Sequence, residues 1–84
     1  MMTMAKGLTS GYIPMSGVMV GDRVANRFVS DGGEFYHGFT YSGHPVAAAV
    51  ALANLDIIEG EVLIERVRDD TGPYLGDAIA PLGG

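Results

Sequence analysis

The sequence predicts an α/β fold, one portion of a larger layered domain, on three observations. A short apolar stretch, Thr3-Met4-Ala5, and a longer apolar run from Ile13 to Val20 have the character of buried strands. An alanine-rich run from Val46 to Ile58 has high helix propensity and apolar residues nearly all round, which calls for a helix covered on most sides. With 84 residues in all, little of the chain is left to cover it. A chain of this size buries only about 60% of its unfolded surface, so independent stability is expected to be marginal.

Taken in order, Thr3-Met4-Ala5 reads as the end of a strand that delivers Lys6, the only lysine, to a turn flanked by Gly7 and Gly11. The run from Ile13 to Val20 reads as a second strand. Pro14 lacks an N–H and Gly17 has no side chain to pack, so this strand should lie near an edge or begin irregularly. Asp22 is placed to cap a short helix from Arg23 to Val29, ended by Ser30-Asp31-Gly32-Gly33. From there to Pro45 no periodicity survives. This loop carries Tyr36, Phe39, Tyr41, His37 and His44, and aromatic and polar residues gathered on a loop are commonly where binding sits.

Pro45 suits the first turn of the long helix, where its missing N–H would have had no partner, and Gly60 is placed to end it. Glu61 to Asp70 alternates apolar and charged residues in a pattern that predicts a second helix with a solvated face. Beyond Pro73, residues 76–84 are expected to be loosely packed or disordered.

Composition excludes several function classes. There are no cysteines, so neither a disulfide framework nor a thiolate metal site is available. His37 and His44, seven residues apart across glycines, match no standard zinc spacing, and no metal is expected. The net charge is −5 and the four arginines are scattered among ten acids, which offers no basic stripe for nucleic acid. The apolar run 46–58 is too short and too interrupted, by Asn54 and Asp56, to span a membrane. The N-terminal residues lack the pattern of a secretory signal, and a cytoplasmic location is expected.

Two constellations carry chemistry. Lys6 offers a primary amine, the side chain that condenses with an aldehyde or ketone when enough of it is unprotonated. Glycines beside it leave room for a bulky planar group to approach. The second is Gly38-Phe39-Thr40-Tyr41-Ser42-Gly43-His44-Pro45. Its glycine spacing copies the front of a P-loop, but His44-Pro45 stands where Lys and Ser or Thr are required, so nucleotide triphosphate binding is not expected. Unpaired N–H groups at the start of the following helix would suit a phosphate, with Thr40 or Ser42 adding hydroxyls. The same two hydroxyls could instead cap that helix. Glu34 near His37 admits acid-base pairing, with surface placement the default. Tyr12 could line a site or simply fill space.

The runs Ala5-Lys6-Gly7-Leu8-Thr9-Ser10-Gly11-Tyr12-Ile13-Pro14 and Tyr36-His37-Gly38-Phe39-Thr40-Tyr41-Ser42-Gly43-His44-Pro45, in this order, resemble the cofactor-lysine region of the class III aminotransferases. The likeness is nearest to omega-transaminases of the amine:pyruvate type. The resemblance covers residues 3 to about 75, while residues 76–84 depart from the family pattern, and it implies an internal fragment of the large domain of a fold-type-I pyridoxal-phosphate-dependent transferase. Residues 1–60 would belong to the cofactor-binding domain and 61–84 to the start of a smaller C-terminal domain.

By the same resemblance, the cofactor is pyridoxal 5'-phosphate, and Lys6 matches the lysine that joins its aldehyde and later shuttles the substrate proton. Thr40 matches the threonine that binds the cofactor phosphate from the neighbouring subunit of a homodimer. The implied reaction moves an amino group from an amine or omega-amino acid to a keto acid such as pyruvate. The glycine-serine phosphate loop, the aromatic residue stacked on the pyridine ring, the aspartate at the pyridine nitrogen and the arginine for substrate carboxylate would lie outside this sequence. The isolated chain is therefore expected to be inactive, the alternative being a remnant that binds phosphate weakly or self-associates through its apolar helix.

Overall fold

The structure is a computed structural model and describes residues 1–83. Internal contacts divide the chain into two compact units, Met1–Leu52 and a second from Ala53 onward. In the first, strand β1 (Met2–Ala5) pairs antiparallel with β2 (Ser16–Met19), with Met2 opposite Met19 and Ala5 opposite Ser16. Strand β2 is shorter than the apolar run suggested. Pro14 can donate no ladder hydrogen bond, and pairing begins only at Ser16. The register makes residues 6–15 the connection of a hairpin, so the lysine turn is anchored at both ends by the ribbon.

That connection opens with a 3₁₀ turn, Lys6–Thr9, and closes through backbone hydrogen bonds: Ser10 N–H donates to the Gly7 carbonyl, and Gly11 N–H to that of Lys6, each at 3.2 Å. Lys6 (φ 50°) and Ser10 (φ 51°) both lie in the left-handed region that non-glycine residues seldom occupy. Helix α1 follows as Asp22–Ser30. Asp22 is its first residue and not its cap. Gly21 occupies the cap position and accepts the Val24 and Ala25 N–H groups through its carbonyl, with no side-chain cap.

Residues 31–44 form the expected loop, and helix α2 runs from Pro45 to Gly60. The sequence called for cover on most sides of α2. Among its described residues only Ala47 and Ala51 are buried, while Leu52 is 63% and Ile57 52% exposed. The residues available here do not cover so apolar a surface.

The second unit is more helical than expected. Val62 adopts the left-handed conformation (φ 52°), unusual for a β-branched residue, and breaks the chain direction after α2. A short helix α3 (Leu63–Arg66) then passes through a π turn, Val67–Thr71, into α4 (Gly72–Ile79) and a final 3₁₀ turn, Ala80–Leu82. Residues 76–82, expected to be loosely packed or disordered, are helical, and all of them are exposed. Pro73 thus stands inside a continuous helical path, entered through the π turn, and does not end it. Gly84 lies outside the described residues.

Candidate cofactor-lysine site

An open cleft of about 930 Å³ lies within the first unit. One side is the hairpin, with Lys6, Gly11 and the segment Ile13 to Val18. The other is the loop, with His37, Gly38, Phe39 and Tyr41 to His44, and the first turn of α2, with Ala47 and Ala48. Lys6 is exposed on this wall. The cleft therefore combines one amine, the hydroxyls of Ser16 and Ser42, two imidazoles and two aromatic rings. Its volume falls in the range of small-molecule and cofactor sites.

Thr9 holds the lysine turn in shape. Its hydroxyl donates to the Ile13 carbonyl at 2.7 Å, and the residue is only 1% exposed, the most deeply buried polar residue among those described. Sequence reasoning singled out the glycines around Lys6 and missed Thr9. A threonine inside a glycine-flanked turn is nonetheless a recognised sign of side-chain to backbone hydrogen bonding.

Thr40 is exposed and does not line the cleft, although Phe39, Tyr41 and Ser42 on either side of it do. Ser42 caps no helix. Its Oγ accepts the Phe39 N–H at 3.1 Å while its own N–H donates to the Phe39 carbonyl at 3.0 Å, a closed local turn that carries Thr40. The cap of α2 is His44. Its Nδ1 accepts the Val46 N–H at 3.2 Å and, at 3.5 Å, that of Ala47, and its carbonyl accepts the Ala48 N–H. The two donors considered available for a phosphate in front of Pro45 therefore already have an acceptor.

His37 does not pair with Glu34 but sits in an aromatic ladder. Phe28 and Phe35 meet edge to face at 5.4 Å, Phe35 and His37 at 5.8 Å, and His37 and Phe39 at 5.6 Å. The His37 N–H donates to the Phe35 carbonyl at 2.9 Å, a three-residue turn centred on Tyr36. Glu34 instead accepts a hydrogen bond from the Tyr36 hydroxyl, which, with slight desolvation, holds that phenol above its usual range. Tyr12 is exposed and lies outside the cleft lining. Among the described residues, no three His, Asp or Glu side chains cluster as a metal site would need, and no helix is long and apolar enough to cross a membrane.

The family model for aminotransferase class-III matches residues 1–83. The chain belongs to the class III aminotransferase family. Among its relatives in that family, the putrescine–pyruvate aminotransferase of Pseudomonas aeruginosa is 63% identical over 75 residues, covering 89% of this chain and 16% of the relative. The diaminobutyrate–2-oxoglutarate transaminase of Halomonas elongata is 51% identical over 82 residues, covering 94% and 17%. A solved structure from directed evolution of transaminases by ancestral reconstruction superposes with a TM-score of 0.81 at 48% identity, covering 98% of this chain and 18% of that one.

This class III aminotransferase chain thus spans about a sixth of the length of these relatives, and its α/β fold is that of a transaminase segment. The family match continues to residue 83, which corrects the expectation that the sequence leaves the family pattern near residue 76.

Proposed function

We propose that the chain carries the cofactor lysine of a pyridoxal-phosphate-dependent aminotransferase. On this reading Lys6 is the residue covalently tethered to the cofactor, and the parent protein moves an amino group from an amine or omega-amino acid to a keto acid such as pyruvate. The observation that carries the reading is the backbone of Lys6. The only lysine of the chain is held in the left-handed region on the wall of a cofactor-sized cleft. A non-glycine residue there costs of order 1 kcal/mol, and such strain is concentrated at functional sites.

The donor set fits the cofactor: an amine for the aldehyde, hydroxyls for phosphate oxygens, and glycines where the backbone must come close. Gly11 and Gly43, both at positive φ on the cleft wall, keep the cleft open where side chains would be strained. When bound, pyridoxal phosphate supplies the electron sink for charge developing at the substrate carbon. Lys6 supplies the tether and then the base that moves the proton from that carbon. The Thr40 hydroxyl donates to a phosphate oxygen of the neighbouring subunit's cofactor. Its exposure, and its position just off the cleft that holds Lys6, support a role in a second site.

The same reading assigns residues 1–60 to the large domain and 61–84 to the start of the small one, places the parent enzyme in the cytoplasm as a homodimer, and leaves these 84 residues unable to turn over substrate alone. A second reading, association through α2, is favoured by the exposure of Leu52, Leu55 and Ile57.

Titration with pyridoxal phosphate, followed by its aldehyde absorption band, tests the proposal. The chain should shift the band saturably and Lys6→Ala should abolish the shift. In the parent homodimer, Thr40→Ala should weaken cofactor binding about tenfold, the loss of one hydrogen bond to a charged group. Equal binding by Lys6→Ala would reject the assignment.

A further inference from the structure

We propose that His44 is a proton-sensitive latch on the start of α2, closed while its imidazole is neutral and released when Nδ1 is protonated. Caps at this position are ordinarily Ser, Thr, Asp or Asn, whose oxygens accept across the whole neutral range. Here the acceptor is an imidazole nitrogen. Pro45 brings no N–H, so the first donors of the helix are Val46 and Ala47, and both point at Nδ1. To accept, Nδ1 must carry a lone pair, which places the ring proton of the neutral form on Nε2.

Protonation turns the acceptor into a donor. Nδ1–H would then face two N–H groups and the positive end of the helix dipole. The groups sharing its cleft offer no compensation. They are Lys6, His37 and Tyr41, no carboxylate lines the cleft, and the first turn of α2 carries no acid. The imidazolium must leave its position, and two consequences follow. The first turn of α2 loses its acceptor and frays. The loop from His37 to Gly43, which enters α2 through His44 and Pro45, loses its fixed exit, and the turn carrying Thr40 moves with it.

The test is site-resolved and uses the whole chain. Long-range proton–nitrogen spectra of the imidazoles at pH 7.5 should show His44 with its proton on Nε2. As the pH falls toward 5, the Val46 and Ala47 amide shifts should move together with the His44 ring, and their protection factors, taken against intrinsic exchange at each pH, should fall by at least tenfold. In His44→Asn, which keeps an acceptor that does not titrate, the same amides should stay protected over that range. In His44→Ala they should be unprotected throughout. His37→Gln separates the second histidine and should leave the response intact. A proton on Nδ1 at pH 7.5, amides that ignore the His44 titration, or a His44→Asn chain that frays as the wild type does would each overturn the proposal.

Discussion

The Thr9 hydroxyl and the Ile13 carbonyl meet at 2.7 Å across the lysine turn, and this contact ties the turn that opens at Lys6 to its exit toward β2. Ribbon pairing holds the turn at Ala5 and Ser16, but between those residues the chain has ten positions and only a few backbone hydrogen bonds. Thr9 closes the far side. Replacing it with Val keeps the shape and removes the donor, leaving the Ile13 carbonyl without its partner at a cost of about 1 to 2 kcal/mol. Urea denaturation should show that loss for Thr9→Val, with Thr9→Ser retaining most of the stability.

A second prediction concerns the π turn. The Gly72 N–H donates to the Val67 carbonyl, and a Cβ on Gly72 would run into that same oxygen. Gly72→Ala should therefore open the junction between Val67–Thr71 and α4, with a loss of about 2 kcal/mol from overpacking. Gly76, four residues on in α4, has open space where its Cβ would stand. Gly76→Ala should stabilise the chain by up to about 1 kcal/mol through helix propensity. Thermal melts of the two variants, moving in opposite directions, check both.

Much of this architecture was legible in the sequence. Lys6 on a glycine-flanked turn, the helix beginning at Pro45 and ending at Gly60, and the irregular start forced on β2 by Pro14 all follow from local chemistry. What was missed depends on geometry that residue types do not encode. Histidine is not a usual cap, so nothing marked His44 over Thr40 or Ser42 until the loop brought Nδ1 beneath Val46. Nothing in Gly72-Pro73 marked the i to i+5 hydrogen bond that carries the helical path through it. The apolar face of α2 announced a need for cover without naming what covers it.

Two ionisable groups should titrate away from their ordinary values. The Asp69 carboxylate accepts hydrogen bonds from Nε and Nη2 of Arg68, at 2.7 and 2.8 Å, and this holds its carboxyl below the usual range. A depressed carboxylate contributes stability above its unfolded pKa, and that contribution disappears as the pH falls through the folded value. Tyr36 is the opposite case. Its raised phenol favours the neutral form, so its contribution is present below the unfolded value near ~10 and lost as the pH rises through the folded one. Both groups are on the surface, so salt should shrink both shifts. Carboxyl and phenol NMR titrations should show Asp69 returning to the ordinary range in Arg68→Gln, and Tyr36 in Glu34→Gln.

Surface ion pairing elsewhere should matter little. Arg27 and Asp31 approach to 3.4 Å one turn apart on and just beyond α1, with both side chains largely in water. Such pairs contribute at most a few tenths of a kcal/mol. Asp31→Asn should leave the denaturation midpoint within error of wild type.

The central claim concerns one amine. Treating the chain with a slight excess of pyridoxal phosphate, reducing with borohydride and mapping the modified peptide by mass spectrometry measures it directly, because the N-terminal amine is the other primary amine available for comparison. The account predicts that the label lands on Lys6 well ahead of the N-terminus, and that prior unfolding in urea abolishes this preference. Labelling of Lys6 no faster in the folded chain than in the unfolded one would contradict it.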